Sequence, residues 1–125
     1  MTLKKHEKQQ ILKNLIETIS HAADKEYQKR VWLLGLGPEC EDFDDFTDVV
    51  LHENAGVLKN HINFALSKEQ YETLKQFQKE LKNFSQTIAL PYQPPVFLDT
   101  SEWGKIMKMA KEVLAAFNYT KPKTE

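Results

Sequence analysis

The spacing of large apolar residues between 71 and 88 constrains this chain most. Tyr71, Leu74, Phe77, Leu81, Phe84 and Ile88 recur every three or four positions, and Lys and Glu alternate on the other side. A period near 3.6 gathers such a set on one stripe of a helix, whereas a strand would scatter it over both faces. Ser67 and Gln70 stand just ahead as a capping box, so a helix is expected over 68–88. A helix with one apolar face must bury it against other elements.

The rest of the chain supplies those elements with the same period. Leu3, Ile11, Leu12, Leu15, Ile16, Ile19 and Ala22/Ala23 predict a helix over 3–22, with Thr2 as its N-cap. Asp24 is placed to cap a second helix over roughly 25–34, with Tyr27, Val31 and Leu34 inward and Trp32 broadening that face. Gly35 is the expected left-handed stop, and Gly37-Pro38 prevents continuation. Asp42, with Asp45 three residues later, opens a helix near 43–53 whose Phe43, Phe46, Val50 and, less squarely, Val49 pack inward. Asn54-Ala55-Gly56 is expected to end it, and 57–66 to form a short connecting piece of one or two helical turns.

Leu90-Pro91-Tyr92-Gln93-Pro94-Pro95 cannot be helical and is expected to cross the bundle in extended form. Val96-Phe97-Leu98 is too short and isolated for a strand. Asp99 with Glu102 is expected to cap a last helix to about Phe117, with Trp103, Ile106, Met107, Ala110, Val113, Leu114 and Phe117 inside. Residues 118–125 form a polar, frayed tail. The expectation is an all-α, single-domain bundle over 1–125, with four main helices plus a short connecting helix. A chain of 125 residues suits one domain and can bury a core without disulfides or metals.

Composition agrees: 41% hydrophobic and 28% charged residues are the proportions of a soluble globular protein. The one cysteine, Cys40, leaves no internal disulfide, which fits a reducing compartment. The charged N-terminal stretch is not followed by an apolar core, so it is no secretory signal. The longest uncharged apolar run, Val31 to Leu36, is far below the ~20 residues of a membrane span. The expected protein is cytoplasmic and makes no membrane contact.

Charge is where the chain departs from the ordinary. Between Arg30 and Lys59 lie seven acids (Glu39, Glu41, Asp42, Asp44, Asp45, Asp48 and Glu53) and no Lys or Arg. The other residues hold 17 basic and 11 acidic side chains, so a net charge of −1 hides a polarised molecule. Glu41, Asp45, Asp48 and His52 follow one another at helical spacing on the side away from the phenylalanines, with Asp44 beside them. A patch of one sign steers partners of the other.

Motifs for chemistry fail on inspection. Asp42, Asp44, Asp48 and Glu53 match positions 1, 3, 7 and 12 of a calcium loop, but Phe46 and Thr47 occupy positions that need a ligand and a glycine. Asp48 and His52 could give two metal ligands, without a third at a compelling spacing; His6, His21 and His61 are scattered. His52-Glu53 begins like a zinc-protease motif, but Gly56 stands where the second His belongs. Cys40 sits among acids that suppress its thiolate. Gly35-Leu36-Gly37-Pro38 lacks the third glycine of a phosphate loop, and acids follow it. Lys105, Lys108 and Lys111 form a basic stripe read as a solvated face, and the acidic patch would repel a duplex. No catalytic residue, metal ligand or cofactor is assigned, and direct nucleic-acid binding is not expected.

From Arg30-Val31-Trp32 through Gly35-Leu36-Gly37-Pro38-Glu39-Cys40, the Asp/Phe helix and Leu66-Ser67-Lys68-Glu69-Gln70-Tyr71, the chain resembles the helical immunity proteins of bacterial contact-dependent growth inhibition and related polymorphic toxin systems. The resemblance lies in size, helical order and the acidic middle, and covers most of the chain loosely. It implies a cytoplasmic, non-enzymatic binder of a cognate toxin domain, often a nuclease with a basic cleft. On the charge argument alone, the partner-facing residues are Glu39, Glu41, Asp44, Asp45, Asp48 and Glu53. Trp32 reads as core and Tyr92 as a packed loop residue. The alternative is a small helical adaptor or regulatory protein acting through an apolar groove or homodimerisation.

Overall fold

A computed structural model describes residues 4–39, 41–87 and 97–119. They form an all-α bundle, with four long helices, one short one and no strand among the described residues. Helix α1 is Lys5–Ser20 and runs into a 3-10 turn, His21–Ala23. Helix α2 begins as Lys25–Tyr27 and continues as a π-helix, Gln28–Leu33. The long helices α3, α4 and α5 are Phe43–Lys59, Lys68–Thr87 and Ser101–Ala116. Helix α4 packs on α3 and α5, and α1 closes the bundle against α3 and α5.

The expected inner faces meet in the core. Leu15, Ile16 and Ile19 of α1, Phe46, Val50 and Val57 of α3, Leu74, Phe77 and Leu81 of α4, and Trp103, Ile106 and Val113 of α5 are buried. At one end the core is aromatic. The Trp103 ring lies 5.9 Å from Trp32, 5.6 Å from Phe43, and 5.3 Å from both Phe84 and Phe97, in edge-on or tilted arrangements. Such geometry sets the positive ring edge against a negative ring face. The Trp103 indole N–H donates to Gln28 Oε1 at 2.9 Å, and Gln28 Nε2 donates to the His21 carbonyl at 2.9 Å. Gln28 thereby links α5 to the end of α1 inside the apolar cluster, with both of its amide atoms partnered.

Several helix ends follow the sequence. Asp24 accepts from the Tyr27 N–H at 3.1 Å, and Asp42 from the Asp45 N–H at 2.8 Å. Both bonds of the Ser67/Gln70 box are present, at 2.9 and 3.1 Å. Gly35 takes the left-handed conformation, with φ 65.

Other ends and faces differ from expectation. The first N-cap is Lys4, whose N–H donates to the Glu7 carboxylate; Thr2 lies outside the described residues. The last N-cap is Thr100, which accepts from the Trp103 N–H at 3.2 Å, while Asp99 pairs with Lys25 at 2.6 Å. Helix α3 runs through Asn54-Ala55-Gly56 to Lys59. Asn54 is fully buried and donates to the Leu74 carbonyl at 3.2 Å and to Gln78 Oε1 at 2.9 Å. Contacts with α4 therefore outweigh the weak helix propensity of Asn and Gly. Residues 60–65 are consequently turns, not a short helix, and the short element is α2. Val49 is 49% exposed and Thr47 is buried in its place. Leu34 faces out because the π-helical turn, bonded i to i+5, shifts the register so that Val31 and Trp32 turn inward. Asn118, with φ 53, folds Tyr119 back onto the core, so packing extends past the expected end at Phe117. Ile88, Tyr92 and the proline-rich crossing lie outside the described residues.

Candidate interaction surface

The seven acids between Arg30 and Lys59 divide into two groups. The first is held by the protein itself. Arg30 grips Glu39 with two parallel bonds, Nη1 to Oε1 at 2.7 Å and Nη2 to Oε2 at 2.9 Å. This fork-to-carboxylate pairing is the strongest geometry available to an exposed ion pair. The guanidinium holds the Glu39 carboxyl down at about 2, well below its ordinary value. Arg30 Nη1 also donates to the Leu36 carbonyl at 3.1 Å. A Cβ on Gly37, whose φ is 96, would run into that same nitrogen, so only glycine leaves the clamp its space.

Glu41 is enclosed still further. Three groups converge on its Oε1: Trp32 Nε1 at 2.9 Å, the Tyr27 hydroxyl at 3.1 Å and His21 Nδ1 at 3.1 Å. The His21 ring stacks on Tyr27 with centroids 3.9 Å apart. Burial, then the charge and hydrogen bond of Glu41, push the Tyr27 phenol well above its ordinary pKa. Glu41 thus ties the turn after α1, helix α2 and the approach to α3 into one polar knot at the rim of the aromatic core.

The second group stands on α3. Asp42 spends one oxygen on its N-cap bond. Asp44, Asp45, Asp48 and Glu53 are exposed, as is His52 among them. Carboxylates in the first turns of a helix are favoured by the partial positive charge of its N-terminus, which explains how three aspartates gather there without breaking α3. Because 43–53 is continuous helix, the acids at calcium-loop spacing are strung along a helix and do not encircle a point. Among the described residues, no three His, Cys, Asp or Glu side chains come together as a metal site. No helix there is long and apolar enough to cross a membrane.

Of the six residues expected to face a partner, four are exposed on α3 and two, Glu39 and Glu41, serve internal bonds. Cys40 lies outside the described residues. Sequence reasoning missed the exposed leucines at and after the end of α2: Leu33, Leu34 and Leu36 are 39, 62 and 56% exposed. Elsewhere, a groove of about 410 Å³ runs between α1 and the end of α5, lined by Leu12, Ile16, Phe117 and Tyr119 among others. No family model, curated protein or solved structure matches the chain.

Proposed function

We propose that this chain is an immunity-type protein that binds and neutralises a basic toxin domain, most simply a nuclease, in the cytoplasm, without chemistry of its own. The observation that carries this reading is the exposed acidic face of α3, formed by Asp44, Asp45, Asp48 and Glu53 with no basic residue between Arg30 and Lys59. A rigid helix displaying carboxylates is complementary to a cleft built for nucleic-acid phosphates. Such complementarity acts chiefly on association rate and partner choice.

The deciding experiment is rescue. The C-terminal domain encoded by the reading frame immediately upstream is expressed with and without this chain. Growth arrest relieved by co-expression supports the reading; a harmless neighbour, or toxicity without relief, sinks it. In the supporting case, association slows as salt rises, because exposed charges are screened beyond about 8–10 Å. The adaptor reading keeps one point in its favour, the apolar groove between α1 and the end of α5. A stable homodimer insensitive to salt would bring that reading forward.

A further inference from the structure

The groove between α1 and the end of α5 has the size and lining of a small-molecule site. Its volume is about 410 Å³, and such sites are mostly apolar with a few polar groups at defined places. Leu12, Ile16, Phe117 and Tyr119 line it, and all four also pack into or against the core. The α5 wall is fixed by backbone bonds. The Phe117 N–H donates to the Val113 carbonyl at 3.1 Å, Asn118 N–H to Ala115 at 3.1 Å and Tyr119 N–H to Leu114 at 2.9 Å. A groove formed in advance leaves little ordering entropy to be lost on binding.

The charges of the groove are few and opposed. Lys13 and Glu17 of α1 are the charged residues of its lining among the described residues. They stand one helical turn apart, with Cβ atoms about 5–6 Å from one another. In the order Lys then Glu they make the weaker of the two pairings at this spacing. Among the described residues, neither head group is paired with the other or with a third side chain. We propose that the groove binds an α-amino acid with a large apolar side chain. Lys13 receives its carboxylate, Glu17 its ammonium, and the apolar lining its side chain. This site is independent of the role proposed for α3.

Charge complementarity selects this class. An apolar carboxylate would gain Lys13 but bring its own charge within one helical turn of Glu17. An apolar amine would meet the same conflict at Lys13. A neutral apolar molecule would use neither head group. An α-amino acid carries a carboxylate and an ammonium on one carbon, so each meets its opposite and neither lysine nor glutamate is left beside a like charge. Lys13 and Glu17 are exposed, and exposed ion pairs contribute little individually. The apolar side chain therefore sets the affinity, and the two charges set the selectivity.

The test titrates the whole chain with L-phenylalanine and follows amide correlation NMR spectra. A ligand of about a dozen non-hydrogen atoms and ordinary efficiency binds at roughly millimolar concentration. Shifts at the amides of residues 9–17 and 117–119 are expected to saturate in that range. Hydrocinnamate, which lacks the amine, and phenethylamine, which lacks the carboxylate, should bind several-fold more weakly. Glycine, which lacks the side chain, should not bind measurably. Glu17→Gln should weaken L-phenylalanine about two- to fivefold, as loss of an exposed ion pair does, and leave hydrocinnamate unweakened. Lys13→Gln should weaken L-phenylalanine similarly and spare phenethylamine. Melts of both variants should match the wild type, since both side chains are exposed. Shifts that do not saturate, or that map outside the groove, overturn the proposal. Hydrocinnamate binding as well as L-phenylalanine, with no effect of Glu17→Gln, overturns it in favour of a simple apolar acid. A wild-type dimer in sedimentation that Leu12→Gln dissociates would give the groove to a second copy instead. None of these outcomes decides the rescue experiment, so the two readings fail separately.

Discussion

Glu41 and Asp45 stand four residues apart in one acidic run, yet the fold gives them opposite roles. Glu41 turns inward and receives Trp32, Tyr27 and His21 on a single oxygen. Asp45 turns outward from the first turn of α3, where only its backbone N–H is engaged by the Asp42 cap in that pair. The difference is one of chain geometry. At Asp42 the backbone is extended, and the Glu41 carboxylate just before it meets the Tyr27 and Trp32 donors of α2. After Phe43 the helix repeats its period, and every residue away from Phe46 and Val50 faces solvent. A run of like charge is therefore not a uniform surface. Part of it is bonded within the fold, and the exposed part begins where the helix begins.

Breaking the inward member should have the largest effect. Glu41→Ala leaves the Trp32 indole N–H and the Tyr27 hydroxyl without their acceptor at the edge of the core. Hydrogen bonds to a charged group contribute about 1.5–3 kcal/mol each, and water reaching this half-buried site recovers part. A loss of about 2–3 kcal/mol is expected in urea unfolding, against under ~0.5 for an exposed surface change such as Asp45→Ala. Equal effects from the two would remove the distinction between them.

The same knot should be felt in alkali. The Tyr27 phenol is raised above its ordinary 10.0 by burial and by Glu41. A raised folded value means the neutral phenol's contribution is complete below the unfolded pKa. It is lost as pH climbs through the folded one. Melting temperature should therefore fall above pH ~10, and Tyr27→Phe should flatten that fall. Phenolate absorbance at ordinary pKa for all four tyrosines would contradict the packing described here.

Glu39 offers a gentler contrast at the acid end. Its carboxyl is held at about 2 by Arg30, below the ordinary 4.5. A depressed folded value means its contribution is present above the unfolded pKa and fades as pH falls from 4.5 toward 2. Both side chains are more than a third exposed, so screening leaves a shallow acid limb that high salt erases. Glu39→Gln should remove the limb and cost less than Glu41→Ala. A limb unchanged by Glu39→Gln belongs to other carboxylates, with Asp99, lowered by Lys25, the next to vary.

How much of this was legible beforehand depends on what each residue type can signal. The apolar stripes of α1, α3, α4 and α5 were readable because Leu, Ile, Phe and Trp are placed by burial alone. Caps such as Asp24 and Ser67 were readable because they act within their own turn. Asn54 was misread because its type says turn while its position, four after Val50 and three before Val57, continues the inner stripe; only Gln78 and the Leu74 carbonyl on another helix decide it. Leu34 was misread because a π-helical turn leaves no mark in periodicity. The six acids looked alike because charge is visible in a sequence and its hydrogen-bond partner is not. Trp32, Tyr27 and His21 come from chain positions that say nothing of one carboxylate.

The outward acids should be the least costly to change, and that is where their meaning lies. In Asp45→Asn/Asp48→Asn, the helix N-terminus loses favourable charge worth about 0.3–1 kcal/mol. Like-charge repulsion among residues three and four apart on α3 is relieved by a similar amount. The net change in unfolding free energy should stay within about 0.5 kcal/mol. On the binding role proposed above, these carboxylates act through their field on a partner and contribute little to stability. The double variant should therefore unfold like the wild type and fail in the rescue assay at matched expression. If it unfolds readily, the outward acids are scaffold like Glu41, and the acidic face of α3 is no binding surface.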